Sequence, residues 1–104
     1  MLQLKVLNLV NRKNINLLSN EIYFIDESWD DYLFWQKNDK QKLKKINDLL
    51  KDIARSPHEG IGKPEALRFK YAGLWSRRID EEHRLIYKVV EDEIQIYKCR
   101  FHYD

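Results

Sequence analysis

The apolar residues of this chain change their spacing once, and that change constrains the fold more than any other feature. In "KQKLKKINDLLKDIARS" they recur at intervals of three, four and seven, the pattern of a helix with one buried face. After the glycines and prolines of "SPHEGIGKPEA" they alternate with polar residues almost to the end of the chain. Alternation is typical of strands, because successive side chains point to opposite faces. The chain therefore combines helices with a sheet.

Three further elements can be placed around these two patterns. The run "EIYFI" is typical of a short strand, and "SWDD" predicts a helix with Ser28 as its N-cap. The second helix must end before Pro57. Its predicted buried stripe consists of Leu43, Ile46, Leu49, Leu50 and Ile53.

Turn-sized gaps divide the alternating region into four strands that are predicted to form an antiparallel meander. The gaps lie around Gly73, residues 80–82 and residues 91–93. The resulting order, βααββββ, predicts an α+β domain in which two helices pack on one face of a twisted antiparallel sheet.

Length and composition indicate a single soluble domain. A chain of 104 residues has room for one core. We assign residues 21–104 to this domain and residues 1–20 to an N-terminal extension. The extension is interpreted as loosely attached or as an added edge strand through Leu2, Leu4 and Val6, and an artefact of start-site assignment is a third alternative. Lys5 and Asn8 interrupt its apolar run, which argues against a signal peptide, and the run is too short for a membrane span. The single Cys99 cannot form an internal disulfide, which favours a cytoplasmic location.

The net charge does not identify a partner, but the placement of the charges does suggest a site. The net charge is only +2, so only a local cluster of cations would attract an anion. Because side chains alternate between the two faces of a strand, odd-numbered and even-numbered residues are predicted to lie on opposite faces; we call this the parity of a residue. The odd residues are predicted to lie under the helices: Leu67, Phe69, Tyr71, Trp75, Ile79, Leu85, Tyr87, Val89, Tyr97, Cys99 and Phe101. The even residues, on the open face, include Arg68, Arg78, Arg84, Arg100 and His102.

Centring each hairpin on its turn predicts that these cations form one row across the sheet. Arg68 would lie opposite Arg78, and Arg84 would lie between Arg78 and the last strand. One interpretation is a solvated face that is paired with the acidic turn at residues 80–82. The other is an anion site, because like charges on opposed strands destabilise a sheet unless something neutralises them.

Glu65, at the entry to the meander, supplies a carboxylate beside the predicted row. Together with His102 and the arginines it completes the groups needed to cleave RNA without a metal: a base, an acid and fixed cations for the charge on phosphorus. No spacing of histidine, cysteine or carboxylate indicates a metal site, and no cofactor motif is present.

Five segments of the chain form a further pattern: "DESWDDYLFWQ", "KKINDLLKDI", "SPHEGIGKPEAL", "GLWSRRIDEEHRLIY" and the terminal "CRFHYD". They closely resemble the YoeB (Txe/YoeB) toxins of the RelE superfamily, which belong to bacterial type II toxin–antitoxin systems. The resemblance implies a microbial-ribonuclease-like fold and a ribosome-dependent mRNA interferase that cleaves mRNA in the A site and so inhibits translation. It also implies a YefM-like antitoxin as partner, with which the toxin acts as co-repressor on operator DNA.

The resemblance assigns roles residue by residue. It implies that Glu65 is the general base, Arg84 the cation on the scissile phosphate and His102 the general acid. The substrate-binding residues on this interpretation are Arg68, Arg78, Arg100 and Tyr103. The family ends at the tyrosine, so Asp104 is a departure that puts an extra carboxylate next to the site.

A non-catalytic function is the alternative. Toxins of the related ParE group resemble this scaffold, lack the ribonuclease residues and act on DNA gyrase, so the fold alone does not define the activity. Such a protein would act by docking gyrase, the antitoxin or operator DNA. The presence of Glu65, Arg84 and His102 favours the enzyme. A toxin homodimer remains open on either interpretation.

Overall fold

The computed structural model describes residues 20–101 and consists of two helices packed on a five-stranded sheet. In chain order the elements are β1 (Glu21–Phe24), α1 (Ser28–Asn38), α2 (Lys40–Arg55), β2 (Glu65–Ala66), β3 (Trp75–Arg78), β4 (Arg84–Val90) and β5 (Glu93–Lys98). This confirms the predicted α+β class and the order βααββββ. The N-terminal extension, His102, Tyr103 and Asp104 lie outside the described residues, apart from Asn20. None of the helices within residues 20–101 is long and apolar enough to cross a membrane.

The sheet is mixed, whereas the sequence predicted an antiparallel one. Its strand order is β1-β5-β4-β3-β2. Strands β2 to β5 form the predicted antiparallel meander. Strand β1 pairs in parallel with β5, with Glu21 opposite Glu93. A crossover connection long enough to contain helices is what allows parallel pairing, and α1 and α2 lie between β1 and the rest of the sheet in the chain.

One residue, Asp39, separates the two helices and caps both of them. Its backbone N–H donates to the carbonyl of Trp35 at 2.9 Å, which closes α1. Its carboxylate accepts the N–H groups of Gln41 and Lys42 at the start of α2, at 3.1 and 3.2 Å. Ser28 was wrongly predicted as the N-cap of α1. It is the first helical residue, and its buried hydroxyl donates back to the carbonyl of Ile25.

The predicted stripe of α2 packs into the core. Ile46, Leu49, Leu50 and Ile53 are buried, and Leu43 packs against the cluster from its edge. The other buried members of the cluster are Phe24, Trp35, Ile79, Leu85, Tyr87, Ile94, Ile96 and Cys99. Each large buried side chain contributes roughly 1.5–3 kcal/mol by leaving water, so the stripe accounts for the attachment of α2 to the sheet.

A β-bulge between β4 and β5 changes which residues of the last strand face the core. Tyr87 is opposite Ile96, but Ile86 is opposite Lys98, so Tyr97 is the extra residue. Ile94 and Ile96 are consequently fully buried, although parity had put even residues on the open face. A bulge inserts one residue and so exchanges the two faces beyond it.

The first strand of the meander is much shorter than predicted. It ends at Ala66, and a 3-10 turn over Phe69–Tyr71 replaces the rest. Phe69 has a φ of 58°, a left-handed conformation that no strand accommodates. Arg68 therefore does not lie opposite Arg78, and Phe69, predicted to face the core, is exposed.

Candidate functional site

The pairing register brings Glu65, Arg78 and Arg84 to the same face of the sheet. Glu65 is opposite Ser76, and Arg78 is opposite Arg84, as predicted for the two arginines. Directly opposed residues share a face, and a residue two positions along the partner strand is a diagonal neighbour about 7–8 Å away. Glu65 and Arg78 stand in that diagonal relation. Because Arg77, the residue between Ser76 and Arg78, points into the helix layer, this shared face is the open one.

Arg84 is oriented by backbone carbonyls and not by the acidic side chains of the adjacent turn. Its Nη1 donates to the carbonyl of Asp80 at 2.7 Å, to that of His83 at 3.1 Å and to that of Glu81 at 3.3 Å. The carboxylate of Asp80 instead pairs with Lys42 of α2 at 3.0 Å. Among residues 20–101, the Nε and Nη2 groups of Arg84 have no hydrogen-bond partner. The guanidinium is thus held by one nitrogen and keeps donors for an anion.

The predicted row of cations is shorter than the sequence indicated. The guanidinium carbon of Arg100 lies 3.4 Å from the ring centroid of Phe34, which is in α1, and 4.5 Å from that of Phe101. Arg100 therefore packs on the helix side; it lies beyond the end of β5 at Lys98, where strand alternation no longer sets the direction of a side chain. Arg68 is exposed at the start of the 3-10 turn. The opposed pair within the sheet is Arg78 and Arg84.

Side chains of α1 hold the chain after β5 at Cys99. The N–H of Cys99 donates to Asp31 Oδ2 at 3.0 Å, and Trp35 Nε1 donates to the carbonyl of Cys99 at 2.7 Å. Burial raises the pKa of Asp31, although the hydrogen bond from Cys99 acts in the opposite direction. Burial also raises the pKa of the Cys99 thiol, which is the buried thiol predicted from the sequence.

His83 holds the next point of the same segment, a role that the sequence did not reveal. In the structure its ring is only 8% exposed and packs edge-on against Trp35, and Nδ1 accepts the N–H of Phe101 at 2.7 Å. The N–H of Arg84 donates to the carbonyl of Phe101 at 2.8 Å. The residue just before His102 is therefore fixed beside the strand that carries Arg84.

A second arginine, Arg77, is buried and organises the loop that leads to Glu65. Its side chain is fully buried. Its hydrogen bonds run to Tyr87 Oη (3.1 Å), Asp52 Oδ2 (2.5 Å) and the carbonyls of Ser56 (2.6 Å), Glu59 (3.0 Å) and Ile61 (3.0 Å). These contacts tie the loop after α2 to the sheet. A Cβ at Gly60 would lie 1.9 Å from Asp52 Oδ2, so only glycine fits this close approach.

We expect Asp52 to make the stability of the domain depend on pH. Burial alone would raise its pKa, but the hydrogen bonds from Arg77 and the N–H of Ile61, with the charge of Arg77, lower it overall. A carboxyl with a lowered folded-state pKa stabilises above the unfolded value of about 3.9, and this contribution is lost as the pH falls through the folded value. Urea midpoints at pH 7 and pH 3 should therefore differ less in Asp52→Asn than in the wild type. Equal pH sensitivity of the two proteins would contradict this.

The site also contains a cavity at the β2 edge, of about 510 Å³, lined by residues 65–71. Within residues 20–101, no cluster of three or more histidine, cysteine or carboxylate side chains is arranged to hold a metal ion. What the described residues do supply is a carboxylate, two cations on the same face and a cavity beside the carboxylate. This combination suits proton abstraction next to a bound anion.

Comparison with known proteins gives a consistent result. A family model described as "YoeB-like toxin of bacterial type II toxin-antitoxin system" matches residues 24–103. The curated Toxin YoeB of Escherichia coli K12 is 55% identical over 83 residues, which cover 80% of this chain and 99% of that protein.

Two solved structures from Staphylococcus aureus extend the comparison. A heterotetrameric YoeB–YefM toxin–antitoxin complex contains a chain that is 49% identical, with a TM-score of 0.74 and coverage of 79% of this chain and 95% of that one. A YoeB dimer is 48% identical, with the same TM-score and coverage of 83% and 99%. YafQ of E. coli, at 21% identity and a TM-score of 0.61, shares the fold.

Proposed function

This chain belongs to the family of YoeB-like toxins of bacterial type II toxin–antitoxin systems, and we propose that it is a ribosome-dependent mRNA endoribonuclease that cleaves without a metal ion. The observation that carries the proposal is the register that sets Glu65 diagonal to Arg78, with Arg84 opposite Arg78 on the same face. The mRNA in the ribosomal A site is the substrate, and cleavage there inhibits translation.

The proposed reaction is a transesterification. Glu65 removes the proton of a ribose 2′-hydroxyl, and the 2′-oxygen attacks the adjacent phosphorus. The P–O5′ bond breaks, His102 protonates the leaving 5′-oxygen, and a 2′,3′-cyclic phosphate remains. Arg84 and Arg78 offset the negative charge that builds on the phosphoryl oxygens. The free Nε and Nη2 donors of Arg84 among the described residues support this role.

The remaining assignments concern substrate binding. Tyr103, next to the proposed acid, would position or stack on the nucleotide. Arg68, exposed at the edge of the cavity, would bind a phosphate. Arg100 would bind more weakly than its place in the predicted row implied, because its guanidinium already packs on Phe34.

The test is a cleavage assay on a defined mRNA in a reconstituted translation system, with the cut mapped by primer extension. We expect a discrete cut in the A-site codon with ribosomes and none without them. A matched mRNA that carries 2′-deoxyribose at the attacking position should resist cleavage, because it lacks the nucleophile. Cleavage of the deoxy substrate would rule out the proposed chemistry, and a cut without ribosomes would rule out ribosome dependence.

We further propose that a YefM-like antitoxin is the partner in the cytoplasm. An acidic segment of the antitoxin would neutralise the face that carries Arg78 and Arg84, folding as it binds, and the complex would bind operator DNA. An equimolar antitoxin in the same assay should abolish the cut. Persistent cleavage would contradict this partnership while leaving the enzymatic proposal intact.

A further inference from the structure

Phe69 is the most exposed large apolar side chain of the described residues. Its exposed fraction is 91%, against 48% or less for the others. A single exposed apolar residue is common and needs no explanation. Phe69 combines this exposure with a left-handed backbone, which Phe101 shares, and with a position beside Glu65.

The backbone presents the ring outwards at a conformational cost. A φ of 58° is an outlier for a bulky L-residue, and such strain persists only where the surrounding structure maintains it. Here the N–H of Tyr71 donates to the carbonyl of Arg68 and the N–H of Ala72 to that of Phe69, both at 3.0 Å. Leu67, just before the turn, is buried and anchors it. The ring of Phe69 remains exposed, so the strained backbone is not offset by burial of this side chain in the core.

The ring lies at the cavity beside Glu65 and between two cations. Phe69 and Glu65 both line the cavity of about 510 Å³, which is within the range of about 300–1,000 Å³ that holds small ligands. Arg68 and Lys70 flank the ring in the chain and are both exposed. Aromatic faces combined with flanking cations are the pattern by which proteins bind single-stranded nucleic acid, stacking on bases and neutralising phosphates.

We propose that Phe69 is a stacking platform for a nucleobase of the mRNA next to the scissile phosphate, with Arg68 and Lys70 contacting the flanking phosphates. This inference rests on the proposed function and adds to it a base-binding subsite. Every base has a π-face, so the platform supplies affinity with little choice among bases.

The cleavage test compares variants that separate the aromatic face from mere apolar bulk. Phe69→Leu keeps an apolar L-residue on the same strained backbone, and Phe69→Tyr keeps the face. Stacking of one base corresponds to roughly a 5- to 150-fold effect. We expect Phe69→Leu to raise KM within that range, with kcat changed by less than about threefold, and Phe69→Tyr to restore the wild-type KM. Leu33→Ala, an exposed apolar control on α1, should match the wild type.

A binding measurement makes the inference independent of catalysis. The ligand is a short single-stranded RNA with 2′-deoxyribose at the cut. It should quench the tryptophan fluorescence of Phe69→Trp more strongly than that of the wild type, which has only the three native tryptophans. Phe69→Gly should have an unchanged or higher Tm, because glycine relieves the left-handed strain, and yet bind this RNA at least fivefold more weakly.

Several results would overturn the proposal. Among them are a Phe69→Leu variant with the wild-type KM, a Phe69→Tyr variant as impaired as Phe69→Leu, and a Phe69→Gly variant with a lower Tm. If Phe69→Leu weakened antitoxin binding alone, the ring would be a protein contact and the proposal would also fall. Failure of the proposed function would give a different result. Wild-type protein would then not cleave mRNA on ribosomes, whereas the RNA-binding measurement would still show whether Phe69 contacts a base.

Discussion

Replacing Arg77 with methionine is expected to lower the free energy of unfolding by about 3–5 kcal/mol, the usual cost of removing one partner from a buried ion pair. The fully buried guanidinium contacts Asp52 and the loop carbonyls at Ser56, Glu59 and Ile61. Without it, Asp52 and the three loop carbonyls lose the donors that hold the loop against the sheet, and methionine cannot replace them. Domains of this size are stable by only about 5–15 kcal/mol, so the loss would be a large fraction of the total.

Urea unfolding followed by fluorescence measures this change, and Arg78→Met provides the matched control. Arg78 is the next residue along β3 and has the same side chain, but it is exposed on the opposite face. Substitutions at such positions usually fall within about 0.5 kcal/mol. A loss in Arg77→Met as small as the one expected for Arg78→Met would show that the network of Arg77 contributes little.

Glu65→Gln and His102→Gln are each expected to slow the chemical step about 10²- to 10⁴-fold, the range associated with a positioned acid or base. Glutamine preserves size and polarity but cannot take or release the proton. The change at Glu65 should not alter the free energy of unfolding appreciably, because Glu65 is an exposed residue at a sheet edge. Single-turnover cleavage of ribosome-bound mRNA isolates this step from binding and product release.

The double variant distinguishes a concerted pair from two independent contributions. Residues that act as a unit give non-additive losses, so Glu65→Gln/His102→Gln should be little slower than the worse of the two single variants. Glu81→Gln, in an exposed turn, is the control and should cleave within about twofold of the wild type. Wild-type rates in either single variant would remove that residue from the mechanism.

Much of the architecture could be predicted because local patterns determine it. The helical period in α2 identified the buried stripe of Ile46, Leu49 and Ile53, since a 3.6-residue repeat defines one face whatever packs against it. Hairpin geometry likewise predicted the pairing of Arg78 with Arg84, because a short turn fixes the register of the strands that it joins.

The predictions that proved wrong depended on single residues or distant contacts. The bulge at Tyr97 exchanged the faces of Ile94 and Ile96, and Arg100 lies beyond the end of β5, where it packs on the helix side. Strand β2 ends after two residues, and the left-handed Phe69 follows it in a 3-10 turn. The bulge leaves a trace in the sequence, because Ile94 and Ile96 have even numbers whereas the buried Cys99 has an odd one. A single altered φ leaves none.

The sequence by itself determined the class of fold, the placement of the helices and the motifs that mark the family, because these depend on the chemistry of neighbouring residues. Only the tertiary structure decided what each cation does. Arg77 is a structural residue because Asp52, 25 positions earlier, and three loop carbonyls surround it. Arg84 keeps free donors among the described residues because a turn holds only its Nη1. The role of a charged side chain follows from its partners and its burial, and packing brings those partners from distant parts of the chain.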